Sequence, residues 1–325
     1  MPDHHTVVRG VRVVRWDPSR PGPAGPRRVG NFGDLLGPLV VRSLLGDVPV
    51  AAPSSRRLVA VGSILHLSRP GDVVWGAGVN GKMPLHLRDP AGLDVRSVRG
   101  PLTRALLAAH GVDVPSVFGD PGLLVADAVP DLHDAAARSP RRDVTIVPNL
   151  NDRAAFRDDP RAIDPTGPVH DVLRAIAESR IVVASSLHGL VVADALGIDA
   201  RPLVSRSEHP FKYADHYAGT GRPEVRAAAD VDAALAGDGT GPAVVDLEAL
   251  RAAFPADLWT DPPAPRGRDR RMHDPAAETV SDAERARADE VLSAWVGSSG
   301  TPSDGGGPSG HDVAATASER GRTRR

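Results

Sequence analysis

Short apolar runs rich in β-branched residues alternate along this chain with stretches whose apolar residues recur at helical spacing. The strand-like runs lie at 7–16, 57–62, 72–78, 94–98, 116–122, 143–148, 180–184 and 201–204. The helix-like stretches lie at 35–45, 99–110, 169–179, 190–196, 211–217 and 246–254. Strands that alternate with helices in this way predict an α/β fold built on mostly parallel sheets.

A polar stretch at 127–142, interrupted by two prolines, divides this pattern into two halves. We therefore predict an N-terminal α/β domain at 1–130 and a C-terminal α/β domain at 141–260. These would be two Rossmann-like domains that face each other across a cleft. Residues 261–325 are rich in proline and arginine, and they predict a linker, a candidate helix at 276–296 and a disordered tail.

The loop at 185–189 reads Ser-Ser-Leu-His-Gly and lies between the strand-like run at 180–184 and the helix-like stretch at 190–196. A loop in this position lies at the carboxyl edge of a parallel sheet, where open α/β folds bind ligands. The free amide groups at the start of the helix favour an anion. His188 is therefore a candidate site residue, and the alternative is that it is a packing or surface residue.

The composition excludes several kinds of site. Cysteine is absent, which excludes disulfides, thiolate metal sites and a cysteine nucleophile. The sequence contains no HExxH pair, Walker A loop or GxSxG elbow, so we predict no metal site and no serine hydrolase. The net charge of -2 gives no reason to expect nucleic acid as a partner. We find no signal-like segment and no transmembrane segment in the sequence, and we expect a cytoplasmic protein.

Arginine greatly outnumbers lysine in this chain. Of the 39 basic residues, only Lys82 and Lys212 are lysines. Such a bias is compatible with a genomic origin, so a single arginine is weak evidence for an anion site unless its local context supports it.

The glycines at 76, 78 and 81 spell GxGxxG after a strand-like run. A dinucleotide site would require a helix to begin there, but Pro84 and Pro90 disfavour one. The glycines instead predict a close approach of the backbone to a ligand at the end of a strand.

Five polar or glycine-rich loops adjoin the strand-like runs, at 31–34, 75–80, 99–104, 119–121 and 185–189. Because loops at the same edge of a parallel sheet converge, we expect these loops to line the cleft.

From 29 to 259 the residues resemble the polysaccharide pyruvyl transferase family. The matching blocks, in order, are Asn-Phe-Gly-Asp at 31–34, Val-Trp-Gly-Ala-Gly at 74–78, Val-Arg-Gly-Pro-Leu-Thr-Arg at 98–104, Phe-Gly-Asp-Pro at 118–121, Ser-Ser-Leu-His-Gly at 185–189, Phe-Lys-Tyr-Ala-Asp at 211–215 and Phe-Pro-Ala-Asp-Leu-Trp at 254–259. The resemblance implies a two-domain fold like that of the GT-B glycosyltransferases. It also implies transfer of pyruvate from phosphoenolpyruvate to two hydroxyls of a sugar, which gives a cyclic ketal.

The resemblance implies that His188, Arg99 and Asp34 are the catalytic residues. His188 is expected to protonate the donor methylene, Arg99 to bind the donor carboxylate or phosphate, and Asp34 to take the proton of the acceptor hydroxyl. The expected substrate-binding residues are Asn31, Gly33, Gly76, Gly78, Asn80, Arg104, Asp120, Ser185, Ser186, Leu187, Gly189 and Lys212.

The partners implied are phosphoenolpyruvate as donor substrate and a free, lipid-linked or polymeric glycan as acceptor. No cofactor is expected. The oligomeric state and peripheral contact with membrane-bound synthesis machinery are left open.

Three positions depart from many members of the family, namely Asn149, Ser186 and His216. Asn149 and His216 bear on acceptor specificity, and Ser186 bears on a donor contact. Two rival interpretations remain at this stage: a GT-B glycosyltransferase that uses a nucleotide sugar, and a non-catalytic partner in polysaccharide synthesis.

Overall fold

The computed structural model describes residues 4–20, 25, 27–51, 53–83, 92–260 and 279–293. The strands are β1 (His5–Val8), β2 (Val11–Val14), β3 (Ser19–Arg20), β4 (Arg27–Arg28), β5 (Arg57–Val59), β6 (Val73–Trp75), β7 (Asp94–Ser97), β8 (Arg142–Val147), β9 (Ser179–Ala184) and β10 (Asp199–Pro202). The helices are α1 (Phe32–Leu45), α2 (Pro101–Ala109), α3 (Val125–Ala128), α4 (Asp131–Ala137), α5 (Val169–Ala177), α6 (Leu187–Ala195), α7 (Phe211–Gly219), α8 (Val231–Ala236), α9 (Leu247–Ala252), α10 (Asp257–Thr260) and α11 (Asp282–Ser293).

The first sheet has the strand order β1-β2-β5-β6-β7. Strands β2, β5, β6 and β7 are parallel, whereas β1 pairs with β2 in the antiparallel sense. The single strand predicted over 7–16 is therefore wrong. Arg9 and Gly10 both have positive φ angles, 44° and 94°, which reverse the chain in the tight turn typical of a two-residue hairpin.

The second sheet consists of β10, β9 and β8 in that order, all parallel. Its central strand β9 is apolar on both faces, as expected for a strand covered by helices on each side. The predicted strand at 116–122 is wrong in extent, because it contributes only a bridge between Val98 and Phe118 to the first sheet. Short proline- and glycine-containing segments of this kind leave few residues for a ladder.

One apolar core joins the halves of the chain. Phe32 and Leu36 of α1 pack in the same cluster as Val147 and Leu190, which belong to β8 and α6. Leu132 of α4 lies in this cluster as well, so the polar stretch at 127–142 contains a helix that packs into the core. The prediction of an α/β fold with parallel sheets is confirmed, and the domain boundaries at 130 and 141 stay predictions.

The C-terminal segment returns to the first sheet. The indole Nε1 of Trp75 donates to the carbonyl of Leu250 at 2.9 Å, and that of Trp259 donates to the carbonyl of Val8 at 3.0 Å. Helix α11 packs Ala288 and Val291 against α2, so the candidate helix at 276–296 is present in shorter form within the described residues. The predicted disordered tail lies outside the described residues.

No helix among the described residues combines the length and the apolar character required to cross a bilayer.

Candidate active site

A cavity of about 1320 Å³ opens at the carboxyl edges of both sheets, and we call it the cleft cavity. Its walls are built by the loops that follow the parallel strands of each sheet. The first sheet contributes Trp16, Ser63, His66, Asn80 and Lys82, and the second sheet contributes Asn149, Ser186, Leu187, His188, Glu208 and Lys212. Asn31 and Asp34, at the start of α1, also line it. The convergence expected from the sequence therefore brings part of the predicted set together.

Asn31 and Asp34 form the N-terminal cap of α1. The side-chain oxygen of Asn31 accepts from the backbone amides of Gly33 at 2.9 Å and Asp34 at 3.3 Å. Its side-chain amide donates to Asp34 Oδ2 at 2.8 Å. Burial raises the pKa of Asp34 to about 7, against the opposing effects of the Asn31 backbone hydrogen bond and the charge of Arg15. Near neutral pH this carboxyl can both donate and accept a proton.

The loop at 185–189 is held by hydrogen bonds on both sides. Ser185 Oγ accepts from the backbone amide of Asn149 at 2.9 Å, and the Ser185 carbonyl accepts from the Tyr213 hydroxyl at 2.6 Å. Ser186 caps α6, because its hydroxyl accepts from the amide of Gly189 at 3.3 Å. Gly189 also allows α6 to lie close to β8, since a methyl group there would meet Val147.

His188 lies in the first turn of α6 and lines the cleft cavity. Burial lowers its pKa to about 4, and the charges of Lys212 and Arg99 act in the same direction while that of Asp120 opposes them. Its Nε2 is buried and has no hydrogen-bond partner among the described residues. Such a nitrogen requires an explanation in a folded protein, and a role in proton transfer is one.

Gly33 and His188 connect the two halves of the site. A methyl group on Gly33 would overlap the His188 ring at Nδ1, so only glycine lets the imidazole lie against the start of α1. Gly62, with φ at 103°, lies beside the opposite edge of the same ring. The N-terminal and C-terminal motifs therefore meet in space at the imidazole.

Arg99 does not line the cleft cavity. Its side chain is fully buried, and its Nε donates to Asp215 Oδ2 at 2.9 Å while one terminal nitrogen donates to the Val79 carbonyl at 2.7 Å. A second terminal nitrogen contacts the hydroxyl of Ser63, which does line the cavity. Gly78 is required here because a methyl group would overlap the guanidinium. The side chain predicted to bind the donor carboxylate or phosphate is, in this structure, a buried guanidinium that donates to protein acceptors.

Besides Arg99, the predicted residues that do not line the cavity are Gly33, Gly76, Gly78, Arg104, Asp120, Ser185 and Gly189. Gly76, with φ at 74°, packs against Gly119 and Pro121, and a side chain there would overlap both. Asp120 accepts from the amides of Gly122 at 2.9 Å and Gly62 at 3.4 Å. Arg104 Nε donates to the Val114 carbonyl at 3.1 Å, and its guanidinium lies 3.7 Å from Glu284 of α11. Their contacts are structural, and Asp120 supports the Gly62 backbone beside His188.

Sequence reasoning missed the partner of the two lysines. Glu208 lies 2.9 Å from Lys82 Nζ and 3.1 Å from Lys212 Nζ, so both lysines of the chain share one carboxylate at the cavity. Burial alone would raise the pKa of Glu208, but the two lysine charges hold it below its usual value. Burial lowers the pKa of Lys212. The scarcity of lysine in the sequence could have indicated this site, because the two lysines of the chain lie together at the cavity.

An aromatic cluster stands on the wall built by the first sheet. The Trp16 indole stacks on His4 with ring centres 5.3 Å apart, and His66 meets it edgewise at 5.7 Å. His66 Nδ1 lies 3.1 Å from the side-chain nitrogen of Asn80. Burial, followed by the charge of Lys82, lowers the pKa of His66 to about 4. This cluster is also absent from the residues expected from the sequence.

Within the described residues no group of three or more histidine, aspartate or glutamate side chains is placed to hold a metal ion. The titratable side chains that line the cavity include Asp34, His188, Lys82 and Lys212.

Comparison with known proteins gives two matches and one negative result. The family described as polysaccharide pyruvyl transferase matches residues 31–206. The chain is 34% identical over 200 residues to the succinoglycan biosynthesis protein ExoV of Rhizobium meliloti (strain 1021). That match covers 57% of this chain and 60% of the length of the relative. No solved structure matches the chain.

Proposed function

Because the chain belongs to the polysaccharide pyruvyl transferase family, we propose that it transfers pyruvate from phosphoenolpyruvate to two hydroxyls of one sugar and forms a cyclic ketal. The acceptor is a sugar of an exopolysaccharide or of its precursor. The name of the relative, which refers to succinoglycan biosynthesis, supports this class of acceptor. The observation that carries the proposal is that the cavity holds His188, Asp34 and both lysines together.

The arrangement proposed for the chain is the GT-B-like one, with two α/β halves that each present a carboxyl edge to one cleft. The loops after β2, β5 and β6 and the loops after β8, β9 and β10 line the same cavity, which supports this arrangement. Donor and acceptor would then meet between the halves, as ligands do in open α/β folds.

The donor carries a carboxylate and a phosphate, so it needs a cationic wall. Lys212, Lys82 and the amino end of α6 supply positive charge on the side of the cavity where His188 lies. We assign the donor phosphate to Lys212, whose ammonium is nearly buried and therefore acts in a medium of low dielectric constant.

For each sugar, ketal formation needs one proton delivered to the donor carbon and two protons removed, one from each sugar hydroxyl. Protonation of the donor methylene turns it into a methyl group and leaves C2 cationic, and the first sugar hydroxyl adds to C2 as its proton leaves. The bond between C2 and the phosphate oxygen then breaks with its electron pair on phosphate, and the second hydroxyl adds to C2. One proton ends on the new methyl group and the other on the released phosphate.

His188 is proposed as the acid for the methylene and Asp34 as the base for the acceptor hydroxyl. The low pKa of His188 makes its imidazolium a strong acid, and the negative charges of the bound donor oppose that lowering and restore the protonated form. The pKa of about 7 makes Asp34 a stronger base than an ordinary aspartate.

The test is to incubate the protein with phosphoenolpyruvate and a panel of free and lipid-linked glycans, and to follow phosphate release and product mass. A gain of pyruvate minus water on one glycan, together with equimolar phosphate, is the expected result. The His188→Ala variant in the same assay is the control for a contaminating activity.

Two outcomes would overturn the proposal. One is protection from thermal unfolding by UDP- or GDP-sugars with none by phosphoenolpyruvate, which favours a nucleotide-sugar glycosyltransferase. The other is glycan binding with no phosphate release on any acceptor, which favours a non-catalytic role in polysaccharide synthesis.

A further inference from the structure

We propose that Trp16 is the platform on which the acceptor sugar ring stacks in the cleft cavity. The inference rests on the proposed function and specifies where its second substrate binds. Trp16 belongs to the wall built by the first sheet, whereas His188 and Lys212 belong to the loops after the strands of the second sheet.

The size of the cavity indicates a second ligand besides the donor. At about 1320 Å³ it exceeds the ~300–1,000 Å³ typical of a pocket for one drug-sized molecule. Phosphoenolpyruvate has only ten heavy atoms, which is about half the size of such a molecule or less. The remaining space accommodates a glycan of more than one ring.

Among the tryptophans that the structure describes, Trp16 alone is exposed. The sequence has only four tryptophans, two tyrosines and five phenylalanines. Trp75 and Trp259 are fully buried in the core, whereas Trp16 is 36% exposed and lines the cavity. A large aromatic side chain left accessible in a concave site is typical of ligand recognition.

The indole is fixed before any ligand binds. His4 stacks on it at an interplanar angle of 19°, and His66 holds it edgewise at 61°. His66 is itself positioned by Asn80, which also accepts from the backbone amides of Lys82 and Met83 at 2.8 and 2.9 Å. A ring held in this way loses little freedom on binding, so more of the contact energy appears as affinity.

The chemistry of the wall suits a sugar rather than the donor. The C–H face of a pyranose carries small positive partial charges and packs on the negative face of an aromatic ring. Aliphatic side chains surround the aromatic cluster on this wall, and they are Val14, Ile64, Leu67, Met83 and Leu93. The donor, with its carboxylate and phosphate, instead requires a cation, and Lys212 supplies one on the wall built by the second sheet. The two substrates would thus occupy opposite walls and meet between Asp34 and His188.

The test compares Trp16→Ala and Trp16→Phe with the control Val7→Ala. Val7 is an exposed residue of the β1–β2 hairpin that precedes Trp16, and it does not line the cavity, so it reports effects on hairpin stability alone. Thermal unfolding of all the variants checks the fold. Steady-state kinetics with phosphoenolpyruvate and the best glycan give separate KM values for donor and acceptor.

For Trp16→Ala we expect the acceptor KM to rise about tenfold while the donor KM stays within twofold. Trp16→Phe should recover most of the acceptor affinity, because it keeps an aromatic face. Val7→Ala should resemble the wild type. An unchanged acceptor KM in Trp16→Ala, or equal increases in both KM values, overturns the inference.

A binding measurement separates this inference from the proposed function. Saturation-transfer NMR with methyl galactoside, methyl glucoside, lactose and cellobiose detects glycan binding without turnover. Loss of the signal in Trp16→Ala and its retention in Trp16→Phe supports the platform even if no pyruvate is transferred. Signals of equal strength in the wild type and Trp16→Ala, or no signal with any of the glycans, overturn the platform even if transfer occurs.

Discussion

Two titratable side chains of the cleft cavity have pKa values moved in opposite directions. Burial raises the pKa of Asp34 to about 7 and lowers that of His188 to about 4. Pairs of this kind mark acid and base roles, because pKa values moved apart let one group release a proton and the other accept one near the same pH. The protonation of Asp34 and of His188 can therefore be tested separately.

His188→Ala should lower pyruvate transfer by about 10²–10⁴-fold, the usual contribution of a positioned acid. The fold should persist, since the Nε2 atom makes no hydrogen bond to the described residues. His170→Ala, an exposed position in the first turn of α5, is the matched control. Near-normal turnover of His188→Ala at saturating donor would remove His188 from the mechanism.

Asp34→Asn should abolish the rise of kcat/KM through pH 7 that a base with a pKa of about 7 produces.

The same substitution, Asp34→Asn, should also change how the stability of the fold depends on pH. Because the pKa of Asp34 is higher in the folded than in the unfolded chain, the folded state holds the extra proton, and wild-type stability falls as the pH rises from about 4 to about 7. The amide does not titrate, so the variant should be more stable than wild type at pH 8 and similar to it at pH 4.

Thermal unfolding from pH 4 to 8 measures this difference. Asp171→Asn places the same change in the first turn of α5 at an exposed position, and it should show no such crossover. A parallel pH profile for wild type and Asp34→Asn would contradict the raised pKa.

Arg99→Met should lower the free energy of unfolding by about 3–5 kcal/mol, because it leaves Asp215 buried without its cation. Arg180→Met breaks the exposed pair with Asp143 and should leave the free energy of unfolding almost unchanged, because solvent screens that pair. Urea denaturation measures both. A stable Arg99→Met variant that fails only in donor binding would instead support the donor contact that the family resemblance implies.

At the scale of secondary-structure elements, periodicity predicted most helices and strands but few of the contacts between them. The apolar spacing of β9 and α6 is local information, and so is the asparagine cap that begins α1. Lys212 lies only four residues from Glu208, but Arg99 and Asp215, like Lys82 and Glu208, are more than a hundred positions apart. Local sequence does not encode such pairings, which is why the burial of Arg99 was not foreseen.

Gly33→Ala tests how the start of α1 and the start of α6 meet. The added methyl group would overlap the His188 ring and displace it, and a displacement of about 1 Å can cost about 10²-fold in rate. Gly37→Ala, one turn later in α1, meets only Val61 at 3.6 Å and should stabilise the helix by about 0.5–1 kcal/mol. Equal activity of the two variants would show that the Gly33 contact does not position His188.

At the scale of the whole molecule, the last described helix completes the core of the first sheet. A chain that ends at residue 278 loses the packing of Ala288 and Val291 on α2, and its free energy of unfolding should fall by roughly 2–4 kcal/mol. A chain that ends at residue 295 keeps α11 and should unfold at the wild-type temperature, because the composition of the remainder predicts no packed structure. Equal unfolding temperatures for the two shortened chains would contradict a stabilising role for α11.

The carboxylate of Glu208 has a consequence for the substrate-free protein. Two ammonium groups held near one another in a partly dry cavity would repel, and Glu208 serves them as a built-in counter-ion. The proposed donor, which brings its own negative charges, would take over that duty, so its binding would exchange one anion for another. Since Lys82 follows β6 and Glu208 follows β10, the same exchange would loosen a tie between the two sheets at the moment the donor arrives.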